Sequence, residues 1–157
     1  MTITIDHGGR RALVTGAGAG IGREIARWLA RAGADVAVND LVPERAEAVV
    51  AEINTEAGTS DGSGRAVAVP ADCRDDEAVE SLVTATVDHL GGLDLAVNNV
   101  GMLPPGRRPQ PFVANRADDW RDIVDQNLVV AALCARAEAE AMLQASTNGS
   151  ILFVTSG

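Results

Sequence analysis

Short apolar runs alternate along the chain with amphipathic stretches, and the alternation predicts the elements. "ALVTG" (12–16) reads as a strand ending in glycine. Ile21, Ile25, Trp28 and Leu29 then recur at helical spacing, with Gly33 as the stop. "ADVAVND" (34–40) is nearly continuous in apolar character, as for a strand buried on both faces. Pro43 opens a second helix, striped by Ala46, Val49, Val50 and Ile53. A polar, Gly/Ser-rich loop (54–64) leads to a third strand (65–72). Asp75 is a predicted N-cap, followed by a stripe of Val79, Leu82, Val83, Thr86 and Leu90 that runs to Gly91 and Gly92. "LDLAVNN" (93–99) is a fourth strand, and "MLPPGRRPQP" (102–111) an irregular loop. A long helix over 117–144, striped by Trp120, Val124, Leu128, Ala131 and Ala135, precedes a fifth strand over 150–156.

Strand–helix alternation of this kind predicts a parallel α/β sheet with right-handed crossovers. No repeat or linker divides the 157 residues, so one domain is expected over 1–157. Ligands of such sheets sit beyond the carboxyl ends of the strands, which directs attention to the residues found there. After strand one comes "TGAGAGIG", Thr15 to Gly22. Its glycines allow close backbone approach, and the helix that follows offers free N–H groups and a positive dipole end to a pyrophosphate. The literal GxGxxG is absent, since Ile21 holds its third position, and with no Lys there is no Walker motif. Asp40 ends strand two at about the distance where an acidic residue accepts hydrogen bonds from an adenosine ribose. Asp72 and Cys73 follow strand three, and "NNVG" (98–101) follows strand four. Asn98 reads either as a tie between strand ends or as a ligand contact, and Asn99 as a ligand contact. Asn127, mid-helix on an apolar stripe, needs a partner for its amide.

Composition narrows the chemistry. The net charge of −9 argues against nucleic acid and anionic membrane as partners. No long apolar run and no signal-peptide pattern appear, so a cytoplasmic protein is expected. Cys73 and Cys134 read as buried reduced thiols, His7 and His89 as surface residues, and no metal site is expected. Arg107 and Arg108 read as part of a solvated loop. There is no Tyr, and all thirteen basic residues are Arg, so these residues supply neither a phenol nor a primary side-chain amine.

These motifs together resemble the short-chain dehydrogenase/reductase (SDR) family. Thr15, Gly16, Gly20 and Gly22 match its Thr-Gly-x-x-x-Gly-x-Gly turn, and "NNVG" is similar to its Asn-Asn-Ala-Gly motif, with Val100 for Ala. "ILFVTSG" (151–157) resembles the strand that ends at its catalytic Ser, here Ser156, and Asn127 falls where the family has a catalytic Asn. The resemblance implies an α/β Rossmann-like doubly wound parallel sheet of order 3-2-1-4-5, ending after strand five. It implies an NAD(P)-dependent oxidoreductase that moves hydride between nicotinamide and a small-molecule alcohol or ketone.

On this resemblance, Thr15, Gly16, Gly20, Ile21 and Gly22 line the pyrophosphate. Asp40 holds the ribose and favours NAD over NADP, Asp72 and Cys73 border the adenine, and Asn99 and Gly101 lie along the cofactor. Ser156 and Asn127 are the catalytic residues present. The family's Tyr and Lys belong to a helix after strand five. The 157 residues hold neither, so they are expected to be catalytically incomplete alone. Strand five is then an edge, and the stripe of the long helix is partly exposed and available for homo-oligomers through 117–144. The alternative is a non-catalytic dinucleotide-binding or sensing module.

Overall fold

The structure, a computed structural model, describes residues 5–58, 62–101, 103 and 106–155. Five parallel strands lie in the order β3-β2-β1-β4-β5, as expected. They are β1 (Arg11–Val14), β2 (Asp35–Val38), β3 (Ala66–Ala68), β4 (Leu95–Asn98) and β5 (Ser150–Phe153). Helices α1 (Gly20–Arg31) and α2 (Pro43–Ala57) cover one face, while α3 (Asp76–Leu90) and α5 (Val130–Gln144) cover the other. Alternate residues of one strand therefore enter separate cores. Ala12 and Val14 face α1 and α2, and Leu13 faces α3 and α5. Leu13, Leu82 and Leu93 are fully buried, each contributing about 1.5–3 kcal/mol of apolar transfer.

The helix signals act locally as read. Pro43 opens α2. Asp75 caps α3, accepting from Ala78 N at 3.0 Å, and Gly91 ends it in the left-handed region at φ 78°. Ion pairs clamp α1 to α2: Arg23 reaches Glu52 at 2.7 Å, while Arg27 and Arg31 share Glu56. At the amino ends of the strands, Arg11 holds the buried Asp94 through Nε–Oδ2 at 2.7 Å and Nη2–Oδ1 at 3.0 Å.

Two elements differ from the sequence reading. The strands are shorter at their carboxyl ends than expected, although past the end of β2 Asn39 N still donates to Val14 O at 3.1 Å and the Asn39 carbonyl accepts from Ala17 N at 2.6 Å. Asn39 and Asp40 turn their side chains to neighbouring backbone, and Pro70 has no N–H to give. The long helix is not uniform: α4 (Ala117–Val124) passes into a π-helical turn (Asp125–Val129) before α5. The wider turn adds a residue and shifts the stripes. Gln126, Val130, Cys134, Glu138 and Met142 face the core, while Trp120, Val124 and Leu128 face outward at 43%, 44% and 65% exposure.

Candidate functional site

A crevice of about 420 Å³ opens over the carboxyl ends of β1, β2 and β4. Gly16, Gly20 and Ile21 form one wall, Asp40 and Arg45 a second, Asp72 and Cys73 a third, and Asn99, Gly101 and Gln126 close it. A larger hollow of about 1080 Å³ runs along the outer side of α1 beside Ile21 and Trp28. It reaches no strand end, so the smaller crevice is the candidate site.

Backbone conformation builds the glycine wall. Gly16 sits at φ +61°, where a side chain is strained, and a Cβ there would press on Val100 Cγ2 at 3.1 Å. At Gly22 a Cβ would run into Gly16 O and stand 2.5 Å from Asn99 Nδ2. The bare Gly22 lets the first turn of α1 rest against the loop. The first helix amide to find a carbonyl is that of Arg23, on Ala19 O at 3.2 Å. The amides of Gly20, Ile21 and Gly22 head the helix without an intrahelical acceptor, the arrangement that suits an anionic ligand.

Side chains lock this wall in place. Thr15 is fully buried: its Oγ1 donates to Val97 O and accepts from Asn99 N at 3.1 Å, tying β1 to β4. Asn99 Nδ2 donates to Thr15 O at 3.1 Å and Gly16 O at 3.0 Å, so its amide holds the turn. Asp40 Oδ2 accepts from Gly18 N at 3.1 Å and Oδ1 from Val42 N at 2.9 Å. Each carboxylate oxygen keeps a further lone pair, enough for two ribose hydroxyls.

Asp72 is paired with Arg74, Nη2–Oδ2 at 2.6 Å, and that guanidinium holds its carboxyl below the usual range. Cys73 is buried, its Sγ donating to Asn39 Oδ1 at 3.3 Å. Cys134 is a second buried free thiol, pushed up by Cys73 and by burial. Gly101 lies at the open end, and a Cβ on it would be 3.0 Å from Asn127 Oδ1. Asn127 itself is exposed in the π turn and donates Nδ2 to Ile123 O at 2.9 Å. Ser156 lies outside the described residues. Arg107 pairs with Asp119 and Asp122 on α4.

Two residues of the site carry roles not read from the sequence. Asn39, 1% exposed, donates to Val69 O and Ala71 O and accepts from Gly16 N, joining the ends of β2 and β3 to the glycine turn. Its signal was an amide closing an otherwise apolar strand. Asn98, whose role stayed open, donates Nδ2 to Glu138 Oε2 of α5 at 2.8 Å. Glu138 had no signal beyond being one acid among several on a helix. Among the described residues no cluster of His, Cys, Asp and Glu could hold a metal, and no helix is long and apolar enough to cross a membrane.

Comparison with known proteins places this geometry among relatives. The family model described as short chain dehydrogenase matches residues 10–157. Short chain dehydrogenase/reductase astE of Aspergillus oryzae is 36% identical over 148 residues, covering 94% of this chain and 54% of that protein. A 3-oxoacyl-[acyl-carrier-protein] reductase of Synechocystis sp. is 36% identical, covering 92% of this chain and 55% of that protein. A 7α-hydroxysteroid dehydrogenase solved with NADH and 7-oxo glycochenodeoxycholic acid superposes with a TM-score of 0.84 at 32% identity, covering 99% of this chain and 57% of that one. The chain thus spans about half the length of the relatives it matches.

Proposed function

The chain belongs to the short-chain dehydrogenase/reductase family, and from that premise we propose that its crevice binds NAD for hydride transfer between the nicotinamide and a small-molecule alcohol or ketone. The observation that carries the reading is the joint placement of the glycine turn and Asp40. Both line one crevice, and Asp40 Oδ2 already orders the turn through Gly18 N at 3.1 Å. The amides of Gly20, Ile21 and Gly22 would take the pyrophosphate, with Gly16 and the buried Thr15 shaping the loop beneath. Asp40 would accept from the adenosine ribose and repel a 2′-phosphate, favouring NAD over NADP. Asp72 and Cys73 would border the adenine, and Asn99 and Gly101 would follow the cofactor towards its nicotinamide end.

A bound nicotinamide would donate or accept the hydride. Asn127, with Oδ1 against Gly101, would position a water beside the substrate, and Ser156 would hydrogen-bond the substrate oxygen. With no Tyr and no Lys among the 157 residues, nothing here gives the family's acid–base proton. These residues are therefore proposed to bind cofactor without turnover. Exposed Trp120, Val124 and Leu128 on the outer side of α4 and the π turn support self-association through 117–144. Calorimetric titration with ADP-ribose tests the binding: saturable heat is expected from the chain, lost in Gly16→Val and weakened in Asp40→Ala. Heat that is the same in all three proteins would remove those residues from the site.

A further inference from the structure

Glu138 is fully buried between α5 and the sheet, an expensive place for a carboxylate. Its one bond comes from Asn98 Nδ2 to Oε2 at 2.8 Å. The other oxygens of the same two side chains, Glu138 Oε1 and Asn98 Oδ1, are also buried, and neither has a partner among the described residues. Both are acceptors as long as the carboxyl is ionised, so two orphaned acceptors belong to one already bonded pair. A single proton changes this. Placed on Oε1, it turns one orphan into a donor for the other. The planar acid and the planar amide then face each other through two hydrogen bonds, N–H to Oε2 and Oε1–H to Oδ1.

We propose that Glu138 is a neutral carboxylic acid that closes a two-bond ring with Asn98, and that this ring positions the end of β4 beneath the cofactor crevice. The neighbouring groups favour the neutral form. On α5, Cys134 lies one turn before Glu138, and Cys73 approaches Cys134 from the segment after β3. α3 turns Val79, Leu82, Val83 and Thr86 inward, β5 contributes Ile151, and the π turn contributes Gln126. No basic side chain among the described residues offsets the charge. Burial pushes the carboxyl up from 4.5 to about 7, although the Asn98 hydrogen bond acts the other way.

The position of Asn98 matters to the crevice. Its carbonyl accepts from Val154 N at 2.9 Å and its chain neighbour Asn99 holds Thr15 O and Gly16 O. The ring therefore connects the helix that follows the Asn127 turn to the strand end that holds the glycine wall. The positioning role rests on the cofactor reading proposed above, while the protonation of Glu138 does not.

The folded-state value lies above the unfolded one, so the proton stabilises the fold. That contribution is complete below 4.5 and is lost as pH rises through about 7. Denaturant unfolding of the 157-residue chain is to be followed from about pH 5 to about pH 9, beside Glu138→Gln, whose amide keeps two hydrogen bonds without a titrating proton. Wild type is expected to lose stability across this window relative to Glu138→Gln; parallel profiles would overturn the protonation. Should Glu138→Gln fail to fold, infrared difference spectra of wild type alone decide. A carboxylic-acid carbonyl band that persists at about pH 6 is expected, and a fully ionised set of carboxyls refutes it.

The crevice is read separately by ADP-ribose titration. Wild-type affinity is expected to fall about tenfold through the transition, the equivalent of one pKa unit of coupling, while that of Glu138→Gln stays level. A protonated Glu138 with pH-independent affinity overturns the positioning role. No ADP-ribose binding at any pH overturns the cofactor reading and leaves the protonation standing.

Discussion

Gly22→Ala sets two effects of opposite sign against each other. By propensity alone, replacing a helical glycine with alanine adds about 1 kcal/mol of stability. The geometry at this position opposes it. The new methyl would enter Gly16 O, stand 2.5 Å from Asn99 Nδ2 and 3.0 Å from Ala17 Cα. Two of those neighbours are backbone, and the third is an amide fixed by bonds of 3.1 and 3.0 Å to Thr15 O and Gly16 O.

Relief requires α1 to lift from the loop, or Asn99 to leave. Losing both Asn99 bonds costs about 1 kcal/mol each. Overpacking against fixed atoms adds about 1–3 kcal/mol. The total of about 3–5, less about 1 from propensity, leaves a net loss of about 2–4 kcal/mol. That is a large share of a typical domain stability of about 5–15 kcal/mol. Urea unfolding with an unchanged m-value reads it as a lowered midpoint, and ADP-ribose affinity should fall alongside because the wall that takes the pyrophosphate has moved. A variant as stable as wild type, or more stable, would show that the close approach of α1 to the glycine turn does not exist.

Asp40→Arg replaces the carboxylate with a phosphate-binding fork and is expected to raise the affinity for NADP relative to NAD by at least tenfold; competition calorimetry measures the ratio, and an unchanged ratio places Asp40 away from the ribose. Arg11→Gln removes the guanidinium bonded to Asp94, 6% exposed, leaves it only Arg10 Nη1 at 3.8 Å as a cationic partner, and should cost about 1.5–3 kcal/mol in denaturant unfolding. Because Arg11 holds the Asp94 carboxyl below its ordinary 3.8, that pair stabilises above 3.8 and its contribution disappears as pH falls through the depressed value. The acid limb of the unfolding profile should therefore flatten in Arg11→Gln. Leu128→Glu puts a charge in the outward stripe, where Leu128 is 65% exposed, and should shift sedimentation from associated species to monomer without lowering the unfolding midpoint.

The strand–helix alternation and the location of the crevice were legible because they rest on period and punctuation, whereas the sheet order 3-2-1-4-5 came with the family resemblance. Gly91, Pro43 and Asp75 mark element ends by local chemistry that tertiary contacts do not override. The glycine turn was legible for a related reason, since few side chains tolerate φ +61° or a neighbour as close as the one at Gly22, and Asp40 by its spacing after that turn. The π turn left no such mark. It is a shift in hydrogen-bond register that Asp125–Val129 permits without a proline or glycine, and it decides that Cys134 and Glu138, not Leu128, enter the core.

Asn98 and Asn99 were recognisable as polar groups at a strand end in want of partners, but not by which partner each would choose. Asn99 was read as a ligand contact, yet its amide holds Thr15 O and Gly16 O while its flank lines the crevice. Glu138 was illegible because a buried acid and an exposed acid look alike in sequence. The difference lies in what α3 and β4 put around it.

The crevice between the glycine turn and Asp40 is proposed to hold a dinucleotide. A crystal structure of the chain grown with ADP-ribose tests it directly. The diphosphate is expected against the amides of Gly20, Ile21 and Gly22, with the adenosine ribose hydroxyls on the Asp40 carboxylate. Density elsewhere, such as along the outer side of α1 beside Trp28, with this crevice vacant at saturating ligand, would contradict it.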